Sequence, residues 1–156
     1  MNALFVCTGN SCRSVMAEFL FNREAAARGL SGWEGRSCGT AADPSFLIPA
    51  GVRKALAERG IDKVEHAPQP PTRELMRWAD LVLAMTKAHE QALVSQFQEH
   101  AAKIQLFSAA AGLGERDVED PIGRPDRAYA ACRDILEGGV RALIEKHAQS
   151  TEIPRS

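Results

Sequence analysis

Between residues 7 and 14 the chain reads Cys-Thr-Gly-Asn-Ser-Cys-Arg-Ser. A thiol and a guanidinium stand here at either end of a short run of small and polar residues. A thiolate is a nucleophile, and the planar guanidinium fork matches two oxygens of a phosphoryl group. Gly9 permits a positive φ and Asn10 tolerates the left-handed region, so the chain can curl between thiol and guanidinium into a cradle. The apolar run Ala3 to Val6 enters this stretch, and a helical pattern with Met16, Phe19 and Leu20 leaves it. A strand that ends in such a loop and enters a helix turns several backbone N–H groups toward one point. The helix terminus adds potential that favours an anion there. Cys7 opens the cradle, and those surroundings favour its thiolate. Ser14 can donate a hydrogen bond to it, steadying the sulfur as nucleophile and as leaving group. Nucleophile, oxyanion cradle and charge clamp then fall within eight residues. The plainer reading is an ordinary strand-to-helix loop with an incidental cysteine, since the bare Cys-x5-Arg pattern also arises by chance.

Phosphoryl transfer to a thiolate needs an acid for the leaving group. Asp120, in Val-Glu-Asp-Pro-Ile-Gly, is the candidate. Pro121 biases it toward an extended conformation, which presents its carboxyl on the loop. One carboxyl can act first as acid and then as base on the hydrolytic water. Asp-Pro alone is a common turn, and Asp117, Glu119 and Asp126 compete for the role by proximity.

The elements that must position these residues alternate between strand-like and helix-like. That argues for an α/β fold, a parallel sheet with helices on both faces. Ala3 to Val6 is the expected first strand and Ser14 to Arg28 the first helix, with Gly29 as its stop. Glu34 to Cys38 follows as a weaker strand, and Pro49 begins a helix with Val52, Ala55 and Leu56 on its apolar face, ending near Gly60. After the Pro-rich stretch 66–72, Thr72 can cap a short helix around Leu75 and Met76. Asp80 to Ala84 is the clearest buried strand, Thr86 to Phe97 a helix, and Lys103 to Phe107 the fourth strand. The turn-rich loop 112–126 carries Asp120. A last helix from Arg127 to His147 is expected to bury Ile135, Val140, Leu143 and Ile144, with Gly138-Gly139 weakening it. Residues 1–148 are read as one domain and 149–156 as a frayed tail.

Composition narrows the class. The chain has 156 residues, enough to bury roughly 70% of its unfolded-chain surface. A net charge of −1 gives no basic footprint for nucleic acid or an anionic membrane surface. No apolar run approaches the roughly 18 residues of a membrane span. The opening MNALFV lacks the basic flank of an export signal, so a cytoplasmic location and reduced thiols are expected. The four cysteines, Cys7, Cys12, Cys38 and Cys132, lack zinc-ligand spacing. No metal or organic cofactor is expected, because the cradle already supplies the electrostatics.

With those residues in place, the chain resembles the low-molecular-weight protein-tyrosine phosphatases of bacteria, close to the protein-arginine phosphatases. FVCTGNSCRSVMAE resembles their phosphate loop and first helix, RSCGT their second strand and ADLVLAMT their third. EDPIG, with Tyr129 beyond it, resembles their acid loop. The resemblance implies a four-stranded parallel sheet in the order 2-1-3-4. It implies catalytic roles for Cys7 as nucleophile, Arg13 as clamp and Asp120 as general acid and base. Thr8, Gly9, Asn10, Ser11, Cys12 and Ser14 would line or hold the phosphoryl group. His66 matches a histidine that helps hold Asn10. Cys12 matches a second loop cysteine that can trap Cys7 in a reversible disulfide. Cys38 and Cys132 are read as core fillers.

The chain departs from the family pattern at three positions, the last two of which bear on substrate. Val15 stands where many relatives have proline. Ile122 stands where tyrosine-directed members place an aromatic residue, and Ser11 where many have isoleucine and the arginine phosphatases a threonine. Small Ser11 and aliphatic Ile122 point to phosphoarginine, and the activity usual in this family points to phosphotyrosine. Phe46 is one substitute for the missing aromatic wall, or else a core or lid residue. The expected partners are phosphorylated proteins, with inorganic phosphate as product. Two rival readings are a thioredoxin-coupled arsenate reductase, which needs two further relay cysteines after the third strand, and a phosphate-binding module without turnover.

Overall fold

The computed structural model describes residues 1–151. Four parallel strands form one sheet: β1 (Asn2–Cys7), β2 (Glu34–Gly39), β3 (Leu81–Ala84) and β4 (Ile104–Leu106), in the order β2-β1-β3-β4. This is the order that the family resemblance implies. β1 pairs from Asn2↔Glu34 to Cys7↔Gly39 on one side and from Ala3↔Leu81 to Val6↔Ala84 on the other. It is central and buried on both faces, which explains its unbroken apolar run.

The helices are α1 (Arg13–Ala27), α2 (Ala50–Ala57), α3 (Arg73–Trp78), α4 (Lys87–Gln96), α5 (Phe107–Ala110) and α6 (Asp126–Thr151). Side chains alternate across β1, as the pleat requires. Ala3, Phe5 and Cys7 join a core with α1, α2 and α6, and Leu4 and Val6 join another with α3 and α4. Phe5 anchors the first core, edge-on to Phe21 at 5.7 Å and to Phe107 at 6.3 Å. Thr72 accepts a hydrogen bond from the Leu75 N–H at 3.1 Å and caps α3 as expected. Thr86 caps α4 in the same way, accepting from the His89 N–H at 3.2 Å.

The structure corrects several details of the sequence reading. Ile135 is half exposed, and its neighbour Leu136 takes the core position on α6. The Gly138-Gly139 pair does not interrupt α6. Gly139 is a packing residue, since a Cβ there would run into the Phe107 ring. β4 ends at Leu106, and Phe107 instead opens the single turn of α5. A 3-10 helix over Gln98–Lys103, with no expectation behind it, joins α4 to β4. Residues 149–151, read as tail, belong to α6, and the rest of that tail lies outside the described residues.

Candidate active site

Cys7 is the last residue of β1, and α1 begins at Arg13, so the loop between them sits at the carboxyl end of the central strand. Open α/β sheets bind ligands at that end. No side chain caps α1, and no acidic residue occupies its first turn. Its positive end therefore faces the loop with no carboxylate from its own first turn set against it.

The loop is held open by its own side chains. Asn10 adopts φ 54° and is fully buried. Its Nδ2 donates to Ser14 Oγ at 2.9 Å and to Ser37 Oγ at 3.0 Å. Its Oδ1 lies 2.9 Å from His66 Nε2 and accepts the Gln69 N–H at 3.0 Å. Asn10 thus spends its amide on α1, β2 and the segment before α3, which offsets the cost of its left-handed backbone. His66 holds Asn10 as the resemblance implies. Burial lowers its pKa.

Ser37 continues the chain of hydrogen bonds, donating to Glu18 Oε1 at 2.8 Å. Burial pushes the Glu18 carboxyl up to about 7, against the pull of that hydrogen bond. Gly39 must be glycine for a different reason: a Cβ there would strike the Thr8 carbonyl and sit 2.8 Å from the Asn10 nitrogen. The Thr40 and Ala41 N–H groups, just beyond β2, donate to the Cys7 and Thr8 carbonyls at 2.9 Å each. The end of β2 is thereby pressed against the loop.

Cys7 Sγ lies 2.9 Å from Ser14 Oγ. Because Ser14 Oγ accepts from Asn10, its own hydrogen is available to the sulfur. Arg13 is buried, and its Nη1 donates to the Val118 carbonyl at 2.9 Å while its Nη2 stands 3.6 Å from Asp120 Oδ2. The loop after α5 is therefore docked on the arginine of the first loop.

The four acidic candidates separate by geometry. Asp117 accepts the Lys87 N–H, Glu119 pairs with Arg124, and Asp126 pairs with Lys54. Asp120 alone among them lines one cleft with Cys7, Gly9, Ser11, Cys12, Arg13 and Ile122. Its Oδ1 accepts the Ile122 N–H at 3.0 Å, an Asx turn that aims the carboxyl back at the loop.

Of the expected phosphoryl-lining residues, Gly9, Ser11 and Cys12 face this cleft. Asn10 and Ser14 stand behind it as supports. Thr8 is exposed at the rim and bonds to His89, a residue that sequence reasoning missed. Phe46 is 44% exposed, and its ring lies 3.6 Å from the place a Cβ on Gly9 would occupy. It is a rim residue and not core. All four thiols are free and buried. Burial raises the pKa of Cys12 and Cys38, and raises Cys132 to about 12, which favours the neutral thiol at all three.

A thiol at the base of a strand–loop–helix cradle, with a guanidinium across it and a carboxyl from a second loop, is the architecture of a cysteine-dependent phosphatase. The chain belongs to the low molecular weight phosphotyrosine protein phosphatase family, whose model matches residues 2–152. It is 40% identical over 146 residues to the protein-arginine-phosphatase of Bacillus subtilis, covering 94% of this chain and 96% of that one. It is 31% identical to the probable low molecular weight protein-tyrosine-phosphatase EpsP of Ralstonia nicotianae, covering 92% and 93% of the two chains. Among solved structures, it matches a YwlE arginine phosphatase whose active-site cysteine is replaced by a phosphorylated serine. That match has a TM-score of 0.90 at 39% identity and covers 96% of this chain and 97% of that one.

Proposed function

We propose that this chain is a phosphoprotein phosphatase working through phospho-Cys7, with Arg13 as phosphoryl clamp and Asp120 as general acid and then base. The observation that carries the reading is the convergence of these three side chains, from two distant loops, on one cleft at the positive end of α1. In the first step the Cys7 sulfur attacks phosphorus and the bond to the leaving atom breaks. Arg13 and the loop N–H groups hold the equatorial oxygens while Asp120 gives its proton to the leaving atom. In the second step water attacks phosphorus and Asp120 takes the water's proton. The S–P bond breaks, inorganic phosphate departs, and Ser14 stabilises the released thiolate.

Phosphoarginine is the substrate class that the cleft supports best. Ser11 is small and lines the cleft beside Ile122, which is aliphatic and half exposed, so neither position supplies an aromatic wall. Once it has given up its proton, the Asp120 carboxylate suits the departing guanidinium. The relatives at 40% and 36% identity are protein-arginine-phosphatases. One observation favours phosphotyrosine instead: the exposed Phe46 ring beside Gly9, where an aromatic ring could stack. The test is kcat/KM for matched phosphoarginine and phosphotyrosine peptides in one buffer. At least about tenfold preference for phosphoarginine is expected, the scale on which pocket shape discriminates. The reverse preference would make Phe46 the stacking wall. Either outcome leaves the phosphocysteine chemistry intact.

The arsenate-reductase reading gains no support. An arsenate relay needs a cysteine pair after β3. The cysteines beyond the phosphate loop are instead Cys38 in β2 and Cys132 in α6.

A further inference from the structure

We propose that His89 is a positioning residue of this reaction, tying the rim of the phosphate loop to the helix end that also carries the acid loop. The inference rests on the function proposed above. His89 lies in the first turn of α4 and is buried. Its Nε2 is 2.7 Å from Thr8 Oγ1, the residue next to the nucleophile. Its Nδ1 is 2.9 Å from Thr86 Oγ1, the hydroxyl that caps α4. A neutral imidazole has one donor and one acceptor, so two hydroxyl partners use the ring completely. Protonation would remove the acceptor. Burial and the nearby Arg13 charge push the ring down to about 4, which keeps it in the neutral form.

The same end of α4 holds the other loop. The Lys87 N–H donates to Asp117 Oδ1 at 2.9 Å, and the Val118 N–H donates to the Met85 carbonyl at 2.8 Å. Asp120 lies two residues beyond Val118. Nucleophile loop and acid loop therefore meet the same short segment, Met85 to His89, one through the His89 side chain and the other through backbone N–H and C=O groups. Arg13 also bridges the loops, through the Val118 carbonyl. Without the His89–Thr8 bond, the rim of the phosphate loop has one fewer tie to the frame that places Asp120. The His89 ring hydrogen-bonds to Thr8 and Thr86, not to Cys7 or Asp120, and acts through Thr8.

Proton delivery is the step most sensitive to that spacing, and it matters most when the leaving group is poor. The test measures kcat/KM for phenyl phosphate and p-nitrophenyl phosphate in His89→Phe, His89→Gln and Thr8→Val. His89→Phe and Thr8→Val are each expected to lose about tenfold more on phenyl phosphate than on p-nitrophenyl phosphate. The glutamine amide, able to reach Thr8, is expected to restore most of the loss. In an Asp120→Asn background, His89→Phe should cost nothing further on phenyl phosphate. Equal losses on the two substrates, or an undiminished loss in that background, would overturn the proposal. If His89→Phe does not fold, Thr8→Val decides the question, because Thr8 is an exposed residue and the change is nearly isosteric. Failure of the underlying function would look different, since Asp120→Asn itself would then show no dependence on leaving group.

Discussion

Replacing Cys7 by serine is expected to lower steady-state turnover by about 10,000-fold or more, the scale on which loss of a nucleophile acts. Oxyanion binding should survive, because the cradle is built from backbone N–H groups, the α1 terminus and Arg13, none of which the change removes. The hydroxyl is smaller than the thiol and far less acidic, so it is a poor nucleophile and a worse leaving group. Any serine that does become phosphorylated should stay so, because the serine alkoxide is a poor leaving group. The check is a turnover assay beside a phosphate-binding titration and an intact-mass measurement. Loss of both binding and turnover would point to a collapsed loop. Retained turnover would place the chemistry elsewhere.

Asp120→Asn is the second large effect. The asparagine keeps the Asx turn to the Ile122 N–H but holds no transferable proton. It also removes the negative charge that faces Arg13 at 3.6 Å. Turnover of a phosphomonoester with a poor leaving group should fall by about 100- to 10,000-fold. Phosphoryl transfer from an activated aryl phosphate should be nearly unchanged, because its leaving group departs as the anion. Presteady-state release of the aryl product separates that first step from hydrolysis of the intermediate, which Asp120 also serves as base. Equal losses in the first step on both substrates would remove Asp120 from the role of acid.

The chemistry was more legible in the sequence than the frame that aims it. Cys7, Gly9, Asn10, Arg13 and Ser14 fall within one turn, so local spacing and residue type suffice to suggest the cradle. The strands are legible because central parallel strands must be apolar on both faces, as in β1. By residue type alone Asp120 was one of four acidic candidates; the family resemblance chose it, and the packing of its loop on Arg13 sets it apart from the others. His89 was invisible for a plainer reason. Its partner Thr8 lies 81 residues away, and a histidine near a helix start has no distinguishing local pattern. Gly39 and Gly139 were unreadable for the same cause: each is small because a distant group, the Thr8 carbonyl or the Phe107 ring, approaches it. Ile135 misled because Leu136 is equally apolar, and only the packing of α6 on α1 and α2 chooses between adjacent positions.

Every substrate is expected to pass through one phospho-Cys7 intermediate, and partitioning of that intermediate between acceptors is the test. Wild-type protein would be supplied with several aryl phosphates in the presence of glycerol, and the ratio of glycerol phosphate to inorganic phosphate measured for each. A shared covalent intermediate has lost its leaving group before water or glycerol attacks, so the ratio should be identical for all of them. A ratio that changes with the leaving group would mean that the acceptor attacks the substrate itself, and it would contradict the phosphocysteine account.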